Sequence, residues 1–128
     1  MAGATNWQPA DWPAPVNIHA VVTYRYGGAG TGPFASFNLA DHVGDNPAAV
    51  AENRRLLRRR LQLPSEPAWL SQVHSDRIVE IKPNHAGTPM ADASFTCRPG
   101  LVCAVLTADC LPVLLTDGHT VAAVHAGW

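Results

Sequence analysis

Three short segments carry the residue types from which a reactive centre is built. They are Gln72-Val73-His74-Ser75-Asp76, Thr107-Ala108-Asp109-Cys110-Leu111-Pro112 and Val124-His125-Ala126-Gly127-Trp128. Each places an imidazole or a thiol where a strand-like run meets a turn. Cys110 follows His74 by 36 positions and precedes His125 by 15, so no local metal motif of the His-Glu-x-x-His kind is present. A site made of these residues has to be assembled by the fold. Two neutral imidazoles and one thiolate form a three-ligand set that leaves a fourth position open, as catalytic zinc requires. Zinc in such a set lowers the pKa of a bound water to near neutrality. The same side chains also suit metal-free chemistry, with Cys110 as nucleophile and a histidine as its base. Asp109, beside Cys110, suits a proton shuttle or an orienting group. Spacing alone leaves a plainer reading open too, because a single histidine at a strand end is more often a hydrogen-bonded surface residue than a ligand.

The other cysteines differ from Cys110. Cys103 lies inside the apolar run Leu101–Leu106 and reads as core, and Cys97 beside Arg98 reads as structural. A second chemical candidate is Arg25 with the run Gly27-Gly28-Ala29-Gly30-Thr31-Gly32 that follows it. Backbone N–H groups in such loops cradle phosphate, and an arginine adds a bidentate donor. The run is no Walker motif, since no Gly-Lys-Ser/Thr follows. Nor is it a dinucleotide fingerprint, because Pro33 and Phe34-Ala35-Ser36-Phe37-Asn38 follow in place of a helix.

The elements that must position these residues are partly legible. Residues 1–16, with Pro13 and Pro15, read as an irregular lead-in to a single domain over 17–128. Ile18–Tyr24 is β-branched and apolar, a strand pattern. Residues 27–45 form a long loop, because four glycines in six positions are too costly inside an element. Asn46-Pro47 opens a helix that runs to Leu61 or Gln62, with Pro64 beyond it. Val50, Leu56, Leu57 and Leu61 form its apolar stripe. Arg54, Arg55, Arg58, Arg59 and Arg60 suit the negative end of the helix dipole and read as a solvated face rather than an anion patch. Strands are expected at 68–72, 77–81, 101–106, 111–115 and 120–124, the last two joined through Asp117-Gly118 as a hairpin. The expected class is α/β or α+β, a mixed sheet with flanking helices.

The 128 residues are 47 % apolar and 15 % charged, which excludes a disordered chain. A formal net charge of −1 argues against a general nucleic-acid or membrane-surface binder. The N-terminus lacks the basic and apolar regions of a secretory signal, and no apolar run approaches the roughly 20 residues of a membrane helix. Three cysteines without a Cys-x-x-Cys pair fit neither a disulfide framework nor a zinc ribbon, so a reduced, cytoplasmic setting is expected.

Five stretches together resemble one family. They are Thr23-Tyr24-Arg25-Tyr26-Gly27-Gly28, the run Ser36–Asp45 (Ser-Phe-Asn-Leu-Ala-Asp-His-Val-Gly-Asp), Trp69–His74 (Trp-Leu-Ser-Gln-Val-His), Ala91-Asp92-Ala93, and Thr107–Val113 continuing to His125–Trp128. The chain is similar in these to the YfiH-like family, also called the laccase-domain, polyphenol-oxidase or DUF152 family. The resemblance implies a YfiH-like, cysteine-hydrolase-like sandwich and a zinc site made of His74, Cys110 and His125. It implies phosphorolysis of purine nucleosides (adenosine, inosine, guanosine, methylthioadenosine) and adenosine deamination at the same site. Arg25 with its glycine loop is then the phosphate site, and Ser36 and Asn38 line the substrate pocket. The partners expected are small molecules, with neither nucleic acid nor membrane, and oligomeric state is left open. A Cys110-dependent hydrolase editing a peptidoglycan precursor is the second reading. Copper oxidation of phenols ranks third, because one His/Cys/His set does not supply several coppers. Family members are longer and continue the His-Ala-Gly-Trp motif with Arg-Gly, so the chain is expected to be the N-terminal part of a larger domain, truncated at its C-terminus, and inactive as a fragment.

Overall fold

The structure is a computed structural model describing residues 7–127. The chain divides into two units, one of Met1–Pro13 with His19–Gln62, the other of Ala14–Ile18 with Leu63–Trp128. Residues 1–6 of the expected lead-in and Trp128 of the His-Ala-Gly-Trp motif lie outside the described residues.

The first unit contains helix α1, Pro47–Arg60, bounded by the residues that the sequence marks. The Asn46 side chain accepts a hydrogen bond from the Ala48 N–H at 2.9 Å, and Pro47 occupies a position where its missing N–H is not needed. Val50, Asn53 and Leu57 are the buried residues, a spacing of three and four that selects one face. Asn53 is fully buried within that face. Its Oδ1 accepts from the Ala29 N–H at 2.8 Å, and its Nδ2 donates to the carbonyls of Ser36 at 3.0 Å and Asn38 at 2.9 Å. One side-chain amide thereby ties both limbs of the glycine-rich loop to the helix. Two of the helix arginines add to this. Arg54 donates to the Leu39 carbonyl at 2.8 Å, and Arg60 donates to the Gly27 carbonyl at 2.6 Å with its guanidinium over the Phe37 ring. Arg55 instead pairs with Glu52 along the exposed face.

Strand β1, Trp7–Pro9, pairs antiparallel with β2, Val21–Thr23. The irregular lead-in expected over 1–16 is therefore corrected at 7–9. Pro13 and Pro15 lie outside the pairing, and Pro9 sits at the strand's end, where a missing N–H is tolerated. The strand expected over 18–24 contracts to Val21–Thr23.

The second unit is a four-stranded sheet. Its strands are β3 (Ile78–Glu80), β4 (Ala93–Thr96), β5 (Leu111–Thr116) and β6 (Val121–Ala126), in the order β3-β4-β6-β5. β3 and β4 are parallel; β4 with β6 and β6 with β5 are antiparallel, so the sheet is mixed as expected. The β5–β6 hairpin closes through Asp117, whose carboxylate accepts the N–H groups of His119 and Thr120, and Gly118 takes φ 95°. The buried residues of this unit include Ala68, Leu70, Ile81, Ala91, Ala93 and Ala123. Leu111 and Leu115, on edge strand β5, remain exposed.

Two expected strands are corrected. Residues 68–72 and 101–106 make only isolated bridges, Ala68 with Cys103 and Ser71 with Met90. At the end of the second run the Gln72 side chain takes the pairing of Leu106. Its Nε2 donates to the Leu106 carbonyl and its Oε1 accepts the Leu106 N–H, both at 2.7 Å. In the other direction, β4 is a central strand that the sequence reading passes over, because Ala-Ser-Phe-Thr is only four residues long and contains one β-branched residue.

Asn53→Ala removes the partner of three backbone groups at once. It is expected to destabilise the chain by about 2–4 kcal/mol in urea unfolding, against under about 0.5 kcal/mol for exposed Arg59→Ala. Gly28→Ala is expected to be at least as disruptive, because a Cβ there would lie 2.4 Å from both the Asn53 Oδ1 and the Ser36 carbonyl oxygen.

Candidate metal centre

The second unit brings His74, Cys110 and His125 together. One donor atom from each lies within 4.8 Å of the others. The β5–β6 register explains part of this. Pro112 pairs with His125 and Leu111 with Ala126, so Cys110 stands one residue before β5, at the end of the hairpin where His125 sits. His74 arrives from the turn after Gln72. Its ring meets that of His125 edge to face, with centroids 5.1 Å apart. Gly127 permits the approach, since a Cβ there would lie 3.2 Å from His74 Cδ2. His125 is buried, Cys110 half-buried and His74 exposed, so the trio opens to solvent on the His74 side.

The donor set fits zinc. Tetrahedral zinc with these ligands holds its donors about 3.3–3.6 Å apart, and the three donors here lie within 4.8 Å of one another. Two imidazoles and a thiol leave one position open, as in catalytic rather than structural zinc sites. Asp109 is exposed, with its carboxylate 3.9 Å from the Cys110 sulfur.

Behind the trio stands a residue that the sequence does not single out as functional. Asp92, 2 % exposed, immediately precedes β4. Its Oδ1 accepts the N–H groups of Val73 at 3.0 Å and Ser75 at 2.8 Å, with the Ser75 hydroxyl at 3.0 Å. Its Oδ2 accepts the His74 N–H at 3.1 Å and lies 2.8 Å from His125 Nδ1. The Asp92 backbone carbonyl also accepts the His125 N–H at 2.7 Å. The signal in the sequence was an acid between two alanines, Ala91 and Ala93, ahead of a strand of small residues. Burial pushes the Asp92 carboxyl up, but the hydrogen bonds from Ser75, His125 and Val73 outweigh it and hold the group well below the usual carboxylate range. Elsewhere in the unit, burial pushes the Cys103 thiol up, which keeps it protonated and agrees with a structural role. All three cysteines are free thiols.

Arg25, Ser36 and Asn38 belong to the first unit. The Arg25 carbonyl accepts the N–H groups of Ser36 and Phe37 at 2.8 and 2.7 Å, and its guanidinium is exposed. The Ser36 hydroxyl accepts the Gly28 N–H at 3.1 Å. The Asn38 side chain closes an Asx turn with Ala40 and donates to Asp45. The N–H groups of Gly28, Ala29 and Gly30 are all spent within the unit, on Ser36 and Asn53. Those three N–H groups therefore form no open backbone cradle for an anion. Among the described residues, no helix is long and apolar enough to cross a membrane.

Asp92 titrates lower in the folded chain than the roughly pH 4 of an unfolded aspartate. Its contribution to stability is present above that value and is lost as pH falls below it. The midpoint of thermal unfolding is expected to fall progressively as pH drops below about 4, toward the strongly lowered pKa of the folded group, and Asp92→Asn is expected to flatten that slope; equal slopes for both proteins contradict the assignment.

The family described as multi-copper polyphenol oxidoreductase laccase matches residues 19–128. A purine nucleoside phosphorylase of Pseudomonas aeruginosa is 50 % identical over 124 residues, covering 95 % of this chain and 50 % of that protein. The purine nucleoside phosphorylase YfiH of Escherichia coli is 47 % identical over 119 residues, covering 91 % and 49 %. Among solved structures, a Neisseria meningitidis protein of the DUF152 family superposes with a TM-score of 0.90 at 48 % identity, covering 97 % of this chain and 51 % of the other. YlmD from Geobacillus stearothermophilus gives 0.88 at 29 % identity, covering 100 % and 52 %. The chain spans about half the length of the curated relatives it matches. With this likeness in sequence and fold, the chain belongs to the YfiH, or laccase-domain (DUF152), family.

Proposed function

We propose that the protein is a zinc-dependent purine nucleoside phosphorylase that also deaminates adenosine at the same centre. The observation that carries this reading is the convergence of two imidazoles and a thiol on one point, half open to solvent. The names of the relatives supply the substrate class. His74, Cys110 and His125 hold the metal, which when bound supplies Lewis acidity near neutral pH. Asp109 is exposed beside the thiol and exchanges protons with the substrate. In phosphorolysis, phosphate oxygen bonds to ribose C1′ as the C–N bond breaks, and the departing purine needs a proton, which Asp109 delivers. In deamination, water oxygen bonds to purine C6 as the C6–N bond breaks, and Asp109 carries a proton from that water to the departing amino group, which leaves as ammonia. The exposed Arg25 guanidinium of the first unit suits a phosphate as a bidentate donor. Ser36 and Asn38, whose side chains accept the N–H groups of Gly28 and Ala40, are the residues of the first unit assigned to substrate binding. The reduced chemistry required by a free Cys110 ligand fits a cytoplasmic location.

One observation favours a second reading, a hydrolase acting through Cys110. A thiol within reach of two imidazoles is also a nucleophile–base pair. Metal dependence separates the two.

The protein carrying this sequence, incubated with adenosine and phosphate, is expected to release adenine and ribose 1-phosphate, and to release ammonia without phosphate. Zinc depletion and Cys110→Ala are each expected to lower kcat/KM by about 10²-fold or more. Arg25→Ala is expected to raise the KM for phosphate while leaving deamination within about twofold. Turnover that survives complete metal depletion contradicts the proposal and favours the Cys110 nucleophile.

A further inference from the structure

The His74 backbone and the His125 ring meet on one carboxylate. We propose that Asp92 is the positioning residue of the centre, fixing His125 so that Nε2 is its donor atom and aiming His74 from a turn built around the same carboxylate. The proposal rests on reading the trio as a metal centre.

At His125 the carboxylate acts on the orientation of the ring. The β4–β6 register pairs Ala93 with Val124, and the His125 N–H reaches the Asp92 carbonyl, so the backbone is held. The imidazole can still turn over about its last side-chain torsion, which is broad and close to two-fold for histidine. A carboxylate oxygen 2.8 Å from Nδ1 removes that freedom. It accepts only from a protonated Nδ1, which leaves Nε2 with its lone pair free. The pair is buried on both sides, so solvent does not weaken the choice. Carboxylate-to-histidine contacts of this kind orient metal-binding imidazoles and raise their basicity.

At His74 the carboxylate acts on the backbone. Its φ is 58°, in the left-handed region that a residue with a Cβ enters at a cost. Three consecutive N–H groups, from Val73, His74 and Ser75, converge on the Asp92 carboxylate. Such a convergence of successive N–H groups is an anion-binding concavity. Here the anion is a side chain of the same chain. Removing its charge leaves three donors facing a weaker acceptor and releases the turn that aims the ring. The hydrogen bond of the Cys110 thiol goes to Asp109 and not to Asp92, so the two histidines form a prearranged half of the centre and the thiol completes it.

The test uses zinc alone, titrated against a chromophoric chelator, on the unaltered chain and on Asp92→Asn. The variant is expected to bind zinc about 10–100-fold more weakly, with a cooperative thermal transition retained. An affinity within threefold of the unaltered chain overturns the proposal. A second reading of the same role needs no substitution. Ring ¹⁵N shifts of the zinc-free chain are expected to show His125 protonated at Nδ1, a signature that a merely structural carboxylate would not impose. A His125 protonated mainly at Nε2 overturns the proposal even where Asp92→Asn fails to fold. If the unaltered chain binds no zinc, the reading of the trio as a metal centre fails, and the ring measurement still decides whether Asp92 sets the orientation of His125.

Discussion

A carboxylate taken out of water has to be repaid in hydrogen bonds, and in this protein the demand falls on Asp92. Its two oxygens gather three backbone N–H groups, one hydroxyl and one imidazole from segments far apart in the chain. That demand brings the turn at 73–75 against the start of β4, and β4 in turn carries β6 beside it. The geometry of the histidine pair is thus set from behind, by a group that does not itself face the open side. An acid at this position without its donors would be intolerable, and the donors without the acid would be equally so, which makes the arrangement all-or-none.

The first unit solves a parallel problem with an uncharged group. A loop as rich in glycine as 27–32 has no side chains to hold it, and its peptide groups need partners. Asn53 supplies an acceptor and two donors from the middle of a helix face that is otherwise apolar. The price is a fixed loop whose N–H groups at 28–30 are turned inward. The arginine run acquires a structural meaning in the same way, because Arg54 and Arg60 reach carbonyls of the loop they pack against.

What the sequence makes legible follows from which forces act locally. The limits of α1 are visible because Asn46, Pro47 and the last-turn arginines act within a turn of the helix end. The β5–β6 hairpin is visible because Asp117 and Gly118 determine its connection. Asp92 and Asn53 are not visible as organising residues, since each occupies an apolar position and is justified only by partners 15 to 33 positions away. The same is true of 101–106, an apolar run that periodicity assigns to a strand and that Gln72 instead holds through its side chain. For the centre itself, residue types and spacing left a ligand set, a nucleophile pair and unrelated surface histidines all open. The motifs shared with the YfiH family pointed to the ligand set, and the fold brings the three donors within reach of one another.

The central claim is that His74, Cys110 and His125 bind one metal ion together. Zinc K-edge X-ray absorption on the zinc-loaded chain tests it most directly, because sulfur and nitrogen scatterers sit at different distances. The account predicts one zinc per chain, with one sulfur at about 2.3 Å and nitrogen or oxygen scatterers at about 2.0–2.1 Å, and loss of the sulfur shell in Cys110→Ser. A first shell without sulfur, or no stoichiometric zinc, would contradict it.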